Sequence, residues 1–494
     1  MKIFKYIIAG LFLSTTIQSC NLDKFPEDSI ERSNSFEKLS DAEKWTNNFY
    51  AQLRGRIYGT YTQVSDVQTD LLNATREFGN VSGAVHRWGQ DFNSDSYEVR
   101  DIWLGYYAAL KNVNISIEKF PAVPVANETE KTKLNQYLSE AYLTRAYYYS
   151  QLALRYCKAY DPATADKDLG VPLVTKFDVN EKPARATLKQ TYEFILSDIV
   201  EAKKGLAQVS GTPGSIKFTI DAALALEARV KLYMGDLVGA KTAAEQVIAK
   251  NTYKLFNTAQ GVASIWAKDE VQETIMQLFA TSAANERPNS NDLYFGYNAD
   301  EKTYRSLFIP SKWVIDAYED KDYRKAAYFK EVTLDRGGLK RTVFINNKFP
   351  GNPSLNTSAA DNYNKPKVFR VAELYLIVAE ATAKTDAATS LSRLNELRVA
   401  RGLDALTGLT GENLLNAVKD ERLRELAFEG FRLDDLKRWK LGMTRRDPQD
   451  LDILQTGQDG FYDKSVPATD NKFVWGIPSY EIILNDKLVQ NQGW

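Results

Sequence analysis

Histidine and cysteine are nearly absent from this sequence. Its 494 residues include one histidine, His86, and two cysteines, Cys20 and Cys157. Hydrolases built on Ser–His–Asp or Cys–His groups need a histidine beside the nucleophile, and structural zinc sites need several histidines or cysteines. The composition therefore excludes a multi-histidine zinc centre and a cysteine cluster, and it leaves most histidine-dependent chemistry without a candidate.

Phosphate-binding loops and a strong net charge are also missing. The chain contains no glycine-rich loop of the P-loop or dinucleotide-binding type. The formal net charge of −1 gives no basic field that would attract nucleic acid. We therefore expect no cofactor, no metal centre and no nucleic-acid partner.

Only the N-terminus carries a long uninterrupted apolar run. The segment "YIIAGLFL" follows Met1, Lys2 and Lys5 and leads into "IQSC". It is shorter than the roughly 20 residues that span a bilayer, and its order is that of a secretory signal. The "IQSC" segment resembles a bacterial lipobox, which predicts a signal peptide at 1–19 and a lipidated Cys20. An ordinary signal with an incidental cysteine is the alternative.

What the chain has in abundance is aromatic residues and helical periodicity. It contains 27 Tyr, 23 Phe and 8 Trp, with 44% hydrophobic and 26% charged residues. Apolar residues recur at steps of three and four over 132–156 and 187–206, which predicts helices. Two pairs of shorter helices, one joined at Gly235-Asp236 and one within 369–402, resemble tetratricopeptide hairpins. The sequence thus predicts a mainly α fold, with irregular loops and few short strands at 55–97 and 252–364. Cys157 lies on an apolar helical stretch and is expected to be a buried, inert thiol.

A series of motifs points to one family. In chain order they are "DAEKWTNNFYAQLR", "WLGYYAALKNVNISI", "YLSEAYLTRAYYYSQLALRY", "GVPLV", "AALALEARVKLYMGD", "FRVAELYLIVAEA", "LNELRVARG", "ERLRELAFEGFRLDDLKRW" and "GIPSYEIILNDKLVQNQGW". Their joint order resembles the SusD/RagB family of surface nutrient-binding lipoproteins, over essentially the whole chain.

The resemblance implies a fold, a place and a partner. The fold would be tetratricopeptide-like helical hairpins (an α-α superhelix) packed with an irregular, loop-rich region. The N-terminal region would span 20–250 and the C-terminal region 251–494, the latter divided into a loop-rich part 251–364, a helical part 365–442 and a tail 443–494. We expect the two regions to pack as one unit.

The protein would be lipid-anchored in the outer membrane and exposed at the cell surface. It would bind oligosaccharides without catalysis and deliver them to a SusC-like TonB-dependent outer-membrane transporter. A binder of peptide or another nutrient is the first alternative, and a glycoside hydrolase using two carboxylates is a remote one.

The motif "DERLRELAFEGFRLDDLKRW" is rich in carboxylates that could suggest such a hydrolase. Glu421, Glu425 and Glu429 fall at four-residue spacing, which would align them on one helix that Gly430 ends. A glycosidase acid needs a raised pKa, and nearby arginines would lower it. We therefore interpret the motif as an ion-pair network at a helix–helix corner, with counter-charges from Arg422, Arg424, Arg432 and Arg438.

Sugar binding calls for exposed rings beside hydrogen-bonding side chains. Because helical stripes pack in the core, we expect such rings in the loops. The candidate ligand-binding residues are Asp70, His86, Arg87, Trp88, Asp91, Tyr294, Phe295 and Tyr297. Trp103, Trp313 and Trp475 are expected to pack in the core, and the sequence leaves Trp266 open.

Overall fold

The computed structural model describes residues 35–178, 180–456 and 461–494. Cys20 and the predicted signal peptide lie outside these ranges. The helices are α1 Leu39–Arg54, α2 Thr60–Val67, α3 Gly83–Arg87, α4 Tyr97–Lys119, α5 Glu128–Tyr156, α6 Leu188–Leu206, α7 Ile220–Met234, α8 Leu237–Ile248, α9 Ala259–Ala267, α10 Lys312–Asp316, α11 Tyr323–Tyr328, α12 Val371–Thr382, α13 Ala387–Ala400, α14 Gly411–Leu426, α15 Arg432–Arg438 and α16 Ser479–Leu484.

The strands are short and mostly paired in twos. They are β1 Leu72–Ala74, β2 Leu169–Pro172, β3 Arg185–Thr187, β4 Thr274–Gln277, β5 Tyr297–Asn298, β6 Thr303–Tyr304, β7 Phe308–Pro310, β8 Phe329–Arg336, β9 Leu339–Asn346, β10 Lys367–Arg370, β11 Met443–Thr444 and β12 Ser465–Val466. Four of them form one sheet in the order β5-β6-β8-β9, and the others pair as β1-β7, β10-β4, β11-β12 and β2-β3. The mainly α fold predicted from periodicity is confirmed, and the hairpin of β8 and β9 is longer than the expected short strands.

Several ends of the predicted helices are satisfied by local hydrogen bonds. The Thr187 hydroxyl and the Gln190 side chain make a reciprocal capping box at the start of α6. Gly235 ends α7 with φ of 81°, a left-handed conformation that glycine adopts without steric cost. The Asp236 side chain then accepts from Gly239 N at 2.9 Å and begins α8. The turn predicted at Gly235-Asp236 is confirmed.

Buried ion pairs join helices both within the N-terminal half and between the two halves of the chain. Arg145 of α5 binds Asp198 of α6 through two hydrogen bonds of 2.7 and 2.8 Å. Arg229 of α7 binds Glu373 of α12 in the same bidentate way, at 2.8 and 2.7 Å. One hydrophobic core runs from Ala42 to Ile477, so apolar packing also joins the halves.

Candidate functional site

The carboxylates of the "DERLRELAFEGF" motif are buried in a network of arginines. Glu425 receives hydrogen bonds from Arg370 at 2.7 Å, from Arg401 at 2.9 Å and from Arg324 at 3.1 Å. All four side chains are no more than 3% exposed. The interpretation as an ion-pair network is confirmed, although these three arginines lie far from the motif in sequence.

The network holds its carboxylates ionised, which is the opposite of what a general acid needs. Burial alone would raise the pKa of Glu421, but Arg324 and Arg424 lower that pKa to about 2. Burial likewise opposes ionisation of Glu425, and Arg401 and Arg370 hold its pKa well below the usual range. A protonated acid at neutral pH is therefore absent from these two positions.

Two details of the predicted corner are wrong. The helix ends at Leu426 and not at Gly430, because Phe428 and Gly430 both have positive φ, 66° and 81°, in a tight non-helical turn. Arg432 pairs directly with Asp70, which lies outside the motif, through hydrogen bonds of 3.0 and 2.7 Å, and it acts on Asp435 and Asp420 of the motif only as a more distant charge.

The two loop regions predicted to bind ligand do meet in space. Strand β1 pairs with β7 in antiparallel register, with Leu72 opposite Pro310 and Ala74 opposite Phe308. Beyond this pair, Arg336 at the tip of the β8–β9 hairpin donates to Arg76 O at 2.8 Å. The β1-β7 pair and the Arg336 contact thereby hold segments 66–97 and 294–308 together as one surface.

Trp88 and His86 belong to the core beneath that surface, so the expectation that the ring of Trp88 is exposed is wrong. Trp88 is 6% exposed, its Nε1 donates to Gln68 O at 2.6 Å, and its ring packs against Phe473. His86 is fully buried, with its ring nitrogens 2.9 Å from Val67 O and 3.1 Å from Phe461 O. Burial lowers the pKa of His86 well below its usual range, so the ring stays neutral. In this conformation neither ring presents a face to a ligand.

The second predicted aromatic loop is also mostly buried. Tyr294 is 1% exposed and Phe295 is 8% exposed. Tyr297 is half-buried at the edge of the sheet, where its ring lies 5.0 Å from that of Tyr304. Asp70, predicted as a hydrogen-bonding group, is 2% exposed and is occupied by Arg432. The aromatic side chains are buried because they pack in the apolar core of the sheet, although their polar neighbours in sequence suggested that they would be exposed.

Besides the half-buried Tyr297, the predicted residues that remain accessible are Arg87 and Asp91. They form an ion pair in which the Arg87 side chain is 19% exposed and the Asp91 side chain is 50% exposed. Arg87 Nη1 also donates to Asn80 Oδ1 at 2.6 Å, and its guanidinium lies 5.6 Å from the centre of the Phe461 ring. We call Asn80, Arg87 and Asp91 the Arg87 cluster. It combines amide, guanidinium and carboxylate groups, which donate to and accept from hydroxyls.

The loop that carries the Arg87 cluster is conformationally unusual. Four non-glycine residues between 77 and 88 have φ between 51° and 57°, namely Glu77, Asn80, Ser82 and Trp88. Such left-handed residues are uncommon and gather at binding and catalytic sites. Sequence reasoning missed Asn80, although "FGNVSG" carries the glycine and asparagine typical of left-handed turns.

Of the other tryptophans, Trp103 and Trp475 are buried as predicted, at 2% and 0% exposure. Trp266, left open by the sequence, is buried at 1%. Trp313, predicted to pack in the core, does pack against it but is only half-buried. Cys157 is buried as predicted, and burial raises the pKa of its thiol to about 11.

Within 35–178, 180–456 and 461–494, no three or more His, Cys, Asp or Glu side chains are arranged to hold a metal ion. None of the helices in those ranges is both long and apolar enough to cross a membrane.

Comparison with known proteins supports the resemblance to the SusD/RagB family along most of the chain. A family model described as "SusD family" matches residues 335–494, and one described as "Starch-binding associating with outer membrane" matches residues 22–232. SusD-like protein P38 of Formosa agariphila is 24% identical over 433 residues, covering 79% of this chain and 78% of its own length. SusD-like protein P2 of the same organism is also 24% identical and covers 99% of both chains.

Solved structures share the fold. A SusD superfamily protein from Bacteroides thetaiotaomicron VPI-5482 is 26% identical and superposes with a TM-score of 0.76, covering 92% of this chain and 99% of its own. A laminarin-binding SusD-like protein is 20% identical, with a TM-score of 0.70 and coverage of 93% and 100%. With matching family models in both halves, related chains along its length and the fold shared throughout, this chain belongs to the SusD/RagB family.

Proposed function

We propose that this protein is a lipid-anchored outer-membrane protein that binds oligosaccharides without catalysis and passes them to a SusC-like TonB-dependent transporter. The observation that carries the proposal is the accessible Arg87 cluster, set on a left-handed loop of a chain in this family. A matched family model described as starch-binding and a laminarin-binding structural relative both support glycan as the ligand class.

The chemistry of the cluster suits a polyhydroxylated ligand. The Arg87 guanidinium has five N–H donors, and the Asp91 carboxylate, half exposed, can accept hydrogen bonds from hydroxyls. Because Arg87 and Asp91 carry opposite charges, the ion pair adds no net charge to the surface. A neutral sugar can therefore exchange water for these partners at low electrostatic cost.

Binding is tested by affinity electrophoresis and calorimetry of the mature protein with laminarin and starch. We expect retarded migration, and we expect Arg87→Ala and Asp91→Ala each to weaken binding about tenfold, since a hydrogen bond to a charged group contributes about 1.5–3 kcal/mol. The matched control is Arg393→Ala, because Arg393 is 25% exposed and also pairs with carboxylates, Glu245 and Glu396, but on the helical hairpins.

Three results would count against the proposal. Release of reducing ends by the purified protein would favour the hydrolase. Retention of peptides but of no polysaccharide would favour the peptide binder. Full affinity in both Arg87→Ala and Asp91→Ala would move the site elsewhere on the molecule.

The anchor and the transporter are tested in cells. Cys20→Ala is expected to release the folded protein from the outer-membrane fraction, because stable anchoring requires lipid chains. Cys157→Ala is the matched cysteine control. The wild-type protein is expected to co-purify with a TonB-dependent barrel from detergent extracts. Membrane retention of Cys20→Ala in cells that lack the transporter would refute the anchor.

A further inference from the structure

A polar cavity lies between the two halves of the chain, with walls distinct from the Arg87 cluster. Helices α4, α5 and α7 contribute to it from the N-terminal half, and strand β10, helix α12 and the turn after α14 contribute from the C-terminal half. Its volume is about 70 Å³, several times the roughly 10–15 Å³ that one water molecule requires. The cavity therefore has room for a small ligand as well as for water.

Two buried tyrosines line this cavity. Tyr106 of α4 is 3% exposed and Tyr147 of α5 is 6% exposed. Among the residues that the structure describes, neither hydroxyl has a hydrogen-bond partner. Burial raises the pKa of both tyrosines, that of Tyr147 to about 12, so both remain protonated donors at neutral pH. Because buried polar groups in folded proteins are nearly always hydrogen-bonded, these two hydroxyls call for a polar occupant of the cavity.

The walls supply further donors beside the two hydroxyls. Arg229 uses Nε and Nη2 to bind Glu373 and a backbone carbonyl, and its Nη1 has no partner in the described part of the chain. Arg56 likewise uses Nε and Nη1, and its Nη2 is left for a ligand by the residues that the structure covers. Arg56, Tyr61 and Gln151 are half-buried, so they mark where the cavity reaches the surface. The cavity thus combines an entrance with an excess of hydrogen-bond donors.

Carboxylates line the cavity as well, but each is already bound by an arginine of the same walls. The pairs are Glu373 with Arg229, Glu429 with Arg370, and Asp434 with Arg155. Lys367 and Arg56 add two further positive charges, so cations outnumber carboxylates around the cavity. This balance favours a negatively charged ligand over a cation.

We infer that the cavity binds a small oxyanion, such as phosphate, sulfate or a carboxylate, which accepts hydrogen bonds from Tyr106, Tyr147 and the guanidinium of Arg229. An oxyanion offers only acceptors, which matches walls whose remaining groups are hydroxyl, guanidinium and amide donors. Tyr147 and Arg229 lie in the N-terminal half, and Arg370 and Lys367 close the cavity from the C-terminal half. The bound anion therefore stabilises the packing of the two halves, and it does so independently of the glycan.

Calorimetric titration of the mature protein with sodium phosphate, sodium sulfate and sodium acetate tests the inference, with sodium chloride at equal ionic strength as the reference. We expect saturable binding of at least one oxyanion, and a melting temperature that rises with its concentration. The oxyanion that binds most tightly identifies the class of ligand. Tyr106→Phe and Tyr147→Phe keep the ring and remove the hydroxyl. Each should weaken binding about tenfold, as expected for the loss of one hydrogen bond to a charged group.

Tyr192→Phe is the matched control. Tyr192 is also buried, at 4% exposure, and its hydroxyl also has no hydrogen-bond partner among the described residues, but it lies on α6 outside the cavity walls. This variant should bind the anion as the wild type does. Gln151→Glu keeps the shape of a half-buried side chain and places a negative charge at the entrance, so it should abolish binding even if a tyrosine variant does not fold.

Two results would overturn the anion site. The first is the absence of saturable binding of phosphate, sulfate and acetate by the folded wild-type protein. The second is wild-type affinity in every folded variant of Tyr106, Tyr147 and Gln151. Neither result bears on the proposed function, because glycan binding is measured separately at the Arg87 cluster.

Discussion

Replacing Arg401 by methionine should be among the most damaging single changes in the molecule. Arg401 is fully buried and donates to Glu425 at 2.9 and 3.0 Å, to Glu273 at 2.9 and 3.2 Å, and to Phe256 O at 3.0 Å. Methionine fills most of the space but leaves two buried carboxylates short of a cation. Removing one partner of a buried ion pair costs about 3–5 kcal/mol.

The expected change in melting temperature follows from the size of the chain. An unfolding entropy of about 2.1 cal/mol/K per residue gives roughly 1 kcal/mol per kelvin at this length. The destabilisation should therefore lower the melting temperature by about 3–5 °C if the protein unfolds in one step. Calorimetry at pH 7 measures it, with Lys204→Met as control, because Lys204 pairs with Glu201 on the exposed face of α6 and should change stability by less than about 0.5 kcal/mol.

Arg401→Met should also change how stability falls at acid pH. The folded-state pKa of Glu425 is depressed, so its contribution is fully present above the unfolded-state pKa of about 4.3 and is lost as pH falls through the folded value. Without Arg401 the depression is smaller, so acid unfolding should begin at a higher pH. Two results together would refute the reasoning that the network is electrostatically coupled. The melting temperature of Arg401→Met would lie within 1 °C of the wild-type value, approximately the error of such a scan, and acid unfolding would begin at the same pH as in the wild type.

Other changes test single features. Asp66→Asn should stabilise the protein and flatten the pH dependence of its stability. Burial raises the pKa of Asp66 to about 8 despite the hydrogen bond from Gly430 N, so the wild type loses stability as pH rises from about 4 to about 8. Denaturant titrations across that range measure the free energy of unfolding, and parallel wild-type and variant curves would contradict the prediction. Gly430→Ala should cost about 1–2 kcal/mol because its φ is 81°, whereas Gly55→Ala, at a φ of −75°, should cost less; equal losses in urea denaturation would argue against backbone strain. Cys157 should resist a thiol reagent in the native protein and react after denaturation, because its thiol is buried with a pKa of about 11; rapid native labelling would show that the site opens.

Local rules predicted the helical part of the fold well because its signals lie close together in sequence. The helix predicted over 187–206 and the turn at Gly235-Asp236 each depend on residues that are neighbours in sequence, and both form where expected. The same rules placed the acidic motif in an ion-pair network. Local rules could not identify Arg324, Arg370 and Arg401 as partners of the motif, because those cations reach it only through tertiary packing.

The candidate site was harder to predict, since exposure of a loop residue is decided by what packs on it. Trp88 has polar neighbours in sequence, yet Gln68 and Phe473 enclose its ring. Trp313 lies in a helical stretch that suggested core packing; it does pack against the core, but it is only half-buried and lies under Arg446. Arg87 and Asp91, named among the candidate ligand-binding residues, remain partly accessible and pair with each other at a four-residue spacing, and their binding of ligand stays a prediction.

The ion pairs between the halves of the chain bear on how such proteins can diversify. Arg229 lies in the segment matched by one family model and Glu373 in the segment matched by the other, and both are buried. Arg155 and Asp434 are divided in the same way. A recombination event that exchanged one half for that of a relative would leave a buried charge without its partner unless both sides changed together. New ligand preferences should therefore arise by substitution and insertion in the surface loops, while the two halves are inherited as one piece.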